Sequence, residues 1–317
     1  MTPRPRPRPR LVVLAGATAS GKTALSLSLA AATGAEVVGA DSVQVYDRLV
    51  IGSARPSPEE LAAAPHHLIG HVGLDEKYDA ARYTEDADRA IADIAARGRP
   101  ALVVGGAGLY LRALVKGLAT GIPADPTVRA ALNARAAEGP DALAAMHAEL
   151  AAVDPEYAAS IHRTDPTRVV RALEVWRTTG VAYSEHHRRH RAEGPRYEAL
   201  WLALDVPRPE LKRRIAARAE AMFAAGWVDE VRAILADGYD PALKPLRSVG
   251  YAEVVDALTG ARPMEGLADA VALSTAAFAK RQRTWFRGEE GVRWVTPDEA
   301  RAPALVEEVR RWLAGAE

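Results

Sequence analysis

The chain has 317 residues, 49% of them hydrophobic and 26% charged, with 41 Lys and Arg set against 41 Asp and Glu. That length suits about two globular domains, and zero net charge excludes a uniformly basic nucleic-acid coat and an acidic tail protein, though not a locally basic groove. The absence of cysteine excludes disulfides, thiolate metal sites and a cysteine nucleophile, and no apolar run reaches the roughly 18–20 residues of a membrane span.

Residues 3–10 alternate Pro and Arg. Proline fixes φ and removes a backbone donor, so residues 1–10 are expected to be a disordered arm. The apolar stretch that follows, Leu11 to Ala15, is too short for a signal-peptide core, and a cytoplasmic protein is expected. LVVLA at 11–15 predicts a strand that runs through GATASGKT into an Ala- and Leu-rich helix from Lys22 to Ala32. EVVGA at 36–40 predicts a second strand, ending at Asp41-Ser42. ALVVG at 101–105 predicts a third, which ends in Gly105-Gly106 and leads into the helix LYLRALVKG.

From 125 to 195 the apolar spacing is helical and no strand is evident. Asp125-Pro126, Asp154-Pro155 and Asp165-Pro166 read as helix starts, with Asp as cap and Pro at the first helical position. Another strand is expected at 199–206, then helices over 208–287, a last strand VRWV at 292–295 and a terminal helix. Strands alternating with helices imply an α/β fold with a parallel sheet, whose ligands gather at the C-terminal ends of the strands. The expected organisation is a core of residues 11–124 and 196–317 with an all-helical domain, 125–195, inserted into it.

Gly16-Ala17-Thr18-Ala19-Ser20-Gly21-Lys22-Thr23 fits G-x-x-x-x-G-K-[ST] at every defined position, between a strand and a helix as the motif requires. Glycines let the backbone curl so that successive N–H groups point inward, and the helix N-terminus adds partial positive charge. Lys22 supplies a full charge for phosphate oxygens and Thr23 a hydroxyl for Mg²⁺. A polyphosphate or diphosphate ligand follows, and the motif alone favours an ATP-dependent kinase. Nucleotide-hydrolysing P-loop enzymes usually carry an apolar strand ending in Asp, whereas the strand at 101–105 ends in glycine. Asp41 is the strand-terminal acid nearest the loop in sequence. Its residue type fits a carboxylate that holds Mg²⁺ through the ion's bound water, a general base beside the phosphates, or a turn cap.

The stretch GADSVQVYDRLVIGSARPS at 39–57 resembles a signature of the tRNA dimethylallyltransferases, also called isopentenyl-tRNA transferases. APHHLIG at 64–70, VVGGAGLYLRAL at 103–114, DPTVRA at 125–130, IHRTDPTRVVRALEVWRTTG at 161–180, LRSVGY at 246–251 and AKRQRTWFRG at 279–288 fit the same family in order and spacing. The resemblance implies a P-loop that holds dimethylallyl diphosphate rather than ATP. It implies transfer of the dimethylallyl group to the exocyclic N6 of adenosine 37 in the tRNA anticodon loop, giving N6-(dimethylallyl)adenosine. Lys22, Thr23 with Mg²⁺, the loop amides and Arg218 would then stabilise the departing diphosphate. Asp41 would be the general base and Thr18 would contact substrate.

By the same resemblance, Asp41, Ser42, Val43 and Gln44 would contact the flipped-out base, with Gln44 able to hydrogen-bond an adenine edge. Further tRNA contacts would come from Ala107, Arg129, Thr167, Arg168, Arg171, Arg247, Gly250, Tyr251, Lys280, Arg281, Gln282, Arg283, Trp285 and Arg287. The last group joins basic and aromatic residues in one segment, suited to a splayed single-stranded loop. Two positions depart from the family pattern. Ala107 stands where Thr is common, which removes a hydroxyl, and Val43 stands where many members have Arg.

The run His186-His187-Arg188-Arg189-His190-Arg191 fits either a solvated helix face or a phosphate contact, and no carboxylate stands at zinc-ligand spacing from it. The expectation is a monomeric, membrane-free P-loop prenyltransferase whose partners are tRNA and dimethylallyl diphosphate and whose cofactor is Mg²⁺. A P-loop kinase and a non-enzymatic RNA-binding module are the alternatives.

Overall fold

The computed structural model describes residues 8–119 and 122–315. The proposed disordered arm lies outside them up to residue 7, and its last residue, Arg10, already belongs to the first strand. The chain forms two compact units, one comprising the residues up to Val115 and from Arg196 onward, the other Lys116–Pro195.

The first unit is built on six strands, β1 (Arg10–Gly16), β2 (Glu36–Ala40), β3 (His66–His67), β4 (Ala101–Gly105), β5 (Glu198–Leu204) and β6 (Val292–Val295), in the spatial order β3-β2-β4-β1-β5-β6. Every pairing is parallel, so every connection must cross over the sheet. Helices α1 (Lys22–Thr33), α2 (Pro58–Ala63) and α3 (Ala80–Ala96) fall between successive members of the first four strands, and α4 (Gly108–Lys116) follows β4. Central β1 has both faces covered and is buried from Leu11 to Gly16, which is why its sequence is a continuous apolar run. The strand starts at Arg10 because that side chain has partners: Glu198 at 3.2 Å and the Trp312 ring at 5.1 Å. His67, in β3, is tied to Glu36 of β2 at 2.7 Å, a structural use of the His-His pair.

The second unit holds α5 (Pro126–Ala137), α6 (Pro140–Val153), α7 (Pro155–Ser160), α8 (Pro166–Thr179) and α9 (Tyr183–Glu193) around Leu132, Met146, Leu150, Val169 and Leu173. All three Asp-Pro pairs start helices as expected, the Asp carboxylate accepting from first-turn amides each time. Asp154 also receives the Ser184 amide at 2.8 Å, which fixes the start of α9. Glu174, fully buried, accepts bonds from Arg129, Arg171 and the Asp125 amide. Burial pushes its pKa up, but the bonds from Arg129 and Arg171 outweigh this and hold it below the ordinary carboxylate range. Glu174→Ala removes a buried anion from two partly exposed arginines, which water can then solvate, and is expected to destabilise this unit by about 1–3 kcal/mol, read from its unfolding by hydrogen exchange.

The first unit closes with α10 (Arg208–Ala224), α11 (Trp227–Ala236), α12 (Tyr251–Leu258), α13 (Leu267–Arg287) and α14 (Pro303–Ala314). Val12, Leu14, Leu102, Leu202 and Leu204 pack with Leu25 and Leu29 of α1 and Leu305 and Val309 of α14 in one core. Ala17 and Val206 pack with Leu211, Ile215 and Ala279 in another. With β4 and β2 to one side of β1 and β5 and β6 to the other, the C-terminal end of β1 is where an open parallel sheet leaves a ligand crevice. No helix among the described residues is long and apolar enough to cross a membrane.

Candidate active site

At the C-terminal end of β1 the chain passes through Ala17–Gly21 into α1. Ala19 at φ 61° and Gly21 at φ 99° adopt left-handed conformations, costly at Ala19, that bend the backbone into a concave nest of amides. No side chain caps α1, whereas α3, α5, α7 and α8 each carry a capping Asp. The uncapped first turn leaves its N–H groups and the positive end of the helix dipole open to an anion. Ser20 adds a buried hydroxyl without a hydrogen-bond partner among the described residues. Thr18 departs from the expected cradle, because its amide donates to Gln282 Oε1 at 2.9 Å instead of pointing at a ligand.

Lys22 Nζ donates to the carbonyls of Gly16 at 3.0 Å and Ala17 at 2.8 Å, leaving one of its three N–H groups for a ligand. Burial lowers its pKa to about 8, the charge of Asp41 opposing the shift and that of Arg218 adding to it. Thr23 lines the same cavity, of about 750 Å³, and its hydroxyl makes no hydrogen bond among the described residues. Such a hard oxygen donor beside a phosphate-binding loop suits Mg²⁺.

Asp41 leaves the C-terminal end of β2 into this cavity. Its Oδ1 accepts from the amides of Val43 at 2.8 Å and Gln44 at 3.2 Å, an Asx turn. Its second oxygen has no hydrogen-bond partner among the described residues. Cap and base are therefore compatible in one carboxylate. Both N–H groups of the Gln44 amide are taken by the carbonyls of Ser53 at 3.0 Å and Ala54 at 2.9 Å, so only its oxygen is left to accept from a substrate. Gly105 and Ala107 line the cavity as well. A Cβ at Gly105 would lie 1.9 Å from the Ala40 carbonyl oxygen, so β4 has no room for the strand-end aspartate of nucleotide-hydrolysing P-loop enzymes.

Of the arginines along α10, Arg213 turns outward to Glu210. Arg214 and Arg218, one turn apart, both line the cavity. Arg218 Nη1 donates to Thr18 Oγ1 at 3.5 Å, and burial lowers its pKa against the opposing pull of Asp41. Arg214 reaches the Ser20 carbonyl at 3.4 Å while paired with Glu210 at 2.9 Å. Its role beside the loop was legible only in its i, i+4 spacing from Arg218.

The residues expected to contact tRNA divide sharply. Ala279, Gln282 and Phe286 of α13 are buried, while Lys280, Arg281 and Arg287 are exposed. Arg283 points inward to Asp205 at 2.5 Å. Trp285 packs on Gly108, where a Cβ would lie 2.4 Å from the ring, and Arg112 covers it at 4.3 Å. It is a braced ring rather than an open stacking platform. Gln282, Arg283 and Trp285 thus correct the expectation of a uniformly RNA-facing segment.

Arg247 lines the cavity and is exposed, though paired with Asp256 at 2.7 Å. Gly250, at φ 90°, is buried under Trp227, and a Cβ there would lie 2.4 Å from that ring. Tyr251 is fully buried and donates to Glu230 at 2.7 Å. Glu230 also accepts the Val50 and Ile51 amides at 3.0 and 2.7 Å. Gly250 and Tyr251 therefore shape the loop after Asp41 from beneath and offer no RNA-facing surface.

In the second unit, Thr167 and Arg168 are exposed at the start of α8, while Arg129 and Arg171 share Glu174. The basic run of α9 is offset by acids: Arg188 pairs with Glu156 and Glu185, Arg189 with Glu185, and His190 with Glu193. The His187 ring packs on Tyr183. No group of three or more His, Cys, Asp or Glu among the described residues could hold a metal ion.

The sequence matches the profile of the family described as IPP transferase over residues 44–289. It is 44% identical to a tRNA dimethylallyltransferase of Geobacter sulfurreducens over 84% of this chain and 85% of that one. Identity is 50% to a tRNA dimethylallyltransferase of Anaeromyxobacter dehalogenans, over 84% and 88%. The fold is similar to a crystal structure of a tRNA isopentenylpyrophosphate transferase from Bacillus halodurans, with a TM-score of 0.69, 32% identity and coverage of 96% of each chain. With an intact P-loop facing Asp41 across one cavity, and with similarity running through both units, the chain belongs to the IPP transferase family, that of the tRNA dimethylallyltransferases.

Proposed function

We propose that this protein transfers the dimethylallyl group of dimethylallyl diphosphate to N6 of an adenosine, position 37, in the anticodon loop of tRNA. The observation that carries this reading is the placement of Asp41 on the wall of the same cavity as the P-loop, with one carboxylate oxygen committed to the turn and the other open. The reaction makes a C–N bond at the allylic carbon, breaks its C–O bond to the diphosphate and releases the N6 proton. The cavity supplies a group for each demand. The amides of the first turn of α1, Lys22 and Arg218 meet the charge that develops on the departing diphosphate. Asp41 would be the acceptor for the N6 proton, and the Gln44 oxygen would accept from an adenine N–H.

Thr23 would hold Mg²⁺, which supplies charge neutralisation on the diphosphate. Lys280, Arg281, Arg287 and Arg247 in the first unit, and Thr167 and Arg168 in the second, are the exposed groups assigned to RNA. Arg129 and Arg171 would serve through guanidinium edges not taken by Glu174. Residues 116–195 would act as the tRNA-gripping insertion.

The test is incubation with radiolabelled dimethylallyl diphosphate, Mg²⁺ and bulk tRNA, beside an ATP-hydrolysis control. Label on tRNA that is lost without Mg²⁺ is expected. Absence of label together with ATP turnover stimulated by a small-molecule acceptor would replace this reading with a kinase.

A further inference from the structure

Gln282 is 7% exposed and stands on α13 among residues that face solvent. Both ends of its amide are engaged. Oε1 accepts the Thr18 N–H at 2.9 Å, and Nε2 donates to the Gly106 carbonyl at 3.0 Å. The fit is close, since a Cβ at Gly106 would lie 2.3 Å from Nε2.

The peptide that Gln282 holds joins Ala17 to Thr18. A trans peptide is planar, with its N–H and C=O pointing in opposite directions. Fixing the Thr18 N–H toward α13 therefore aims the Ala17 carbonyl the other way, where it receives Lys22 Nζ at 2.8 Å. Thr18 also carries the hydroxyl that accepts from Arg218. One buried amide thus sets the peptide plane against which both cationic side chains are seated.

We infer that Gln282 is a positioning residue of the diphosphate site, acting through the 17–18 peptide on Lys22 rather than touching RNA. The inference rests on the prenyltransferase reading for the identity of the anion, but its physical content is the geometry of the loop.

Gln282→Met keeps the length and volume of the side chain and removes its donor and acceptor. The expected result is a KM for dimethylallyl diphosphate, and a Kd for inorganic diphosphate, raised by about tenfold, with tRNA affinity within about twofold of the parent. The Lys22 ¹³Cε resonance, assigned by its loss in Lys22→Met, is expected to move in the same variant. Gly106→Ala, whose Cβ would displace the Gln282 amide while leaving its chemistry intact, is expected to reproduce the diphosphate defect and serves if Gln282→Met does not fold.

Weakened tRNA binding with diphosphate affinity and the Lys22 resonance unchanged would overturn the inference and make Gln282 an RNA contact. Unchanged diphosphate binding in both variants would also overturn it. The diphosphate and NMR readouts need no turnover, so failure of the prenyltransferase reading would appear separately, as a parent protein that binds diphosphate and transfers nothing.

Discussion

Asp41→Asn is expected to lower kcat for prenyl transfer by about 10²–10⁴-fold, leaving tRNA affinity and the thermal midpoint close to those of the parent. The asparagine carbonyl can still accept from the Val43 and Gln44 amides, as Asp41 Oδ1 does at 2.8 and 3.2 Å, so the turn after β2 survives. In the proposed reaction the substitution removes the oxygen that would take the N6 proton. Asp41→Ala removes both roles, and about 1 kcal/mol of stability should go with the cap. The asparagine variant therefore separates chemistry from folding, which alanine cannot do. Single-turnover rates with tRNA saturating are the measurement. An asparagine enzyme within a few-fold of the parent would end the case for Asp41 as base.

Removing Lys22 strikes at the leaving group. Lys22→Met is expected to reduce kcat/KM by roughly 10²–10³-fold, the loss associated with a single donor aimed at developing negative charge. The same residue gives a pH signature. In the ligand-free protein its pKa is lowered to about 8, chiefly by burial, so the ammonium form that attracts diphosphate is fully populated below that value and declines above it. Relative to Lys22→Met, the affinity of the parent for inorganic diphosphate should hold steady at pH values well below 8, then weaken by up to about tenfold per unit above 8. Diphosphate itself titrates, but that contribution is common to parent and Lys22→Met. The difference between their affinities isolates the lysine.

The corresponding effect on stability has the opposite sign. A lysine whose pKa is depressed on folding disfavours the folded state while charged. This contribution makes the ligand-free protein more stable as pH rises from about 8 toward the ordinary lysine value. Thermal shifts measured with and without diphosphate across this range check both. A parent and Lys22→Met pair with parallel pH profiles would remove Lys22 from the anion site.

Local signals carried much of this molecule. The strand, P-loop and helix follow one another in the first thirty or so residues as the motif demands, because glycine placement and helix-start chemistry act over a few bonds. The Asp-Pro pairs mark their helix starts for the same reason: the capping carboxylate and the amides it receives are neighbours in sequence. Parallel topology was legible from the alternation of strands and helices. The pairing of Asp41 with the P-loop came through family resemblance rather than through pattern alone.

The fate of individual polar side chains was decided elsewhere. In AKRQRTWFRG every polar residue looks equally able to meet RNA, yet the helix turns Gln282 and Arg283 inward and leaves Lys280, Arg281 and Arg287 outside. Gly250 and Tyr251 belong to a recognisable signature but serve as its floor, because Trp227 and Glu230, more than a dozen residues earlier, occupy the space above and beside them. Fold class, the P-loop motif and the helix caps could be read along the chain, since each depends on residues close together in it. Which amide of the loop faces the ligand, which arginines reach it and which oxygen of Asp41 stays open depend on partners far apart in sequence, and those distances close only when the sheet and its helices pack.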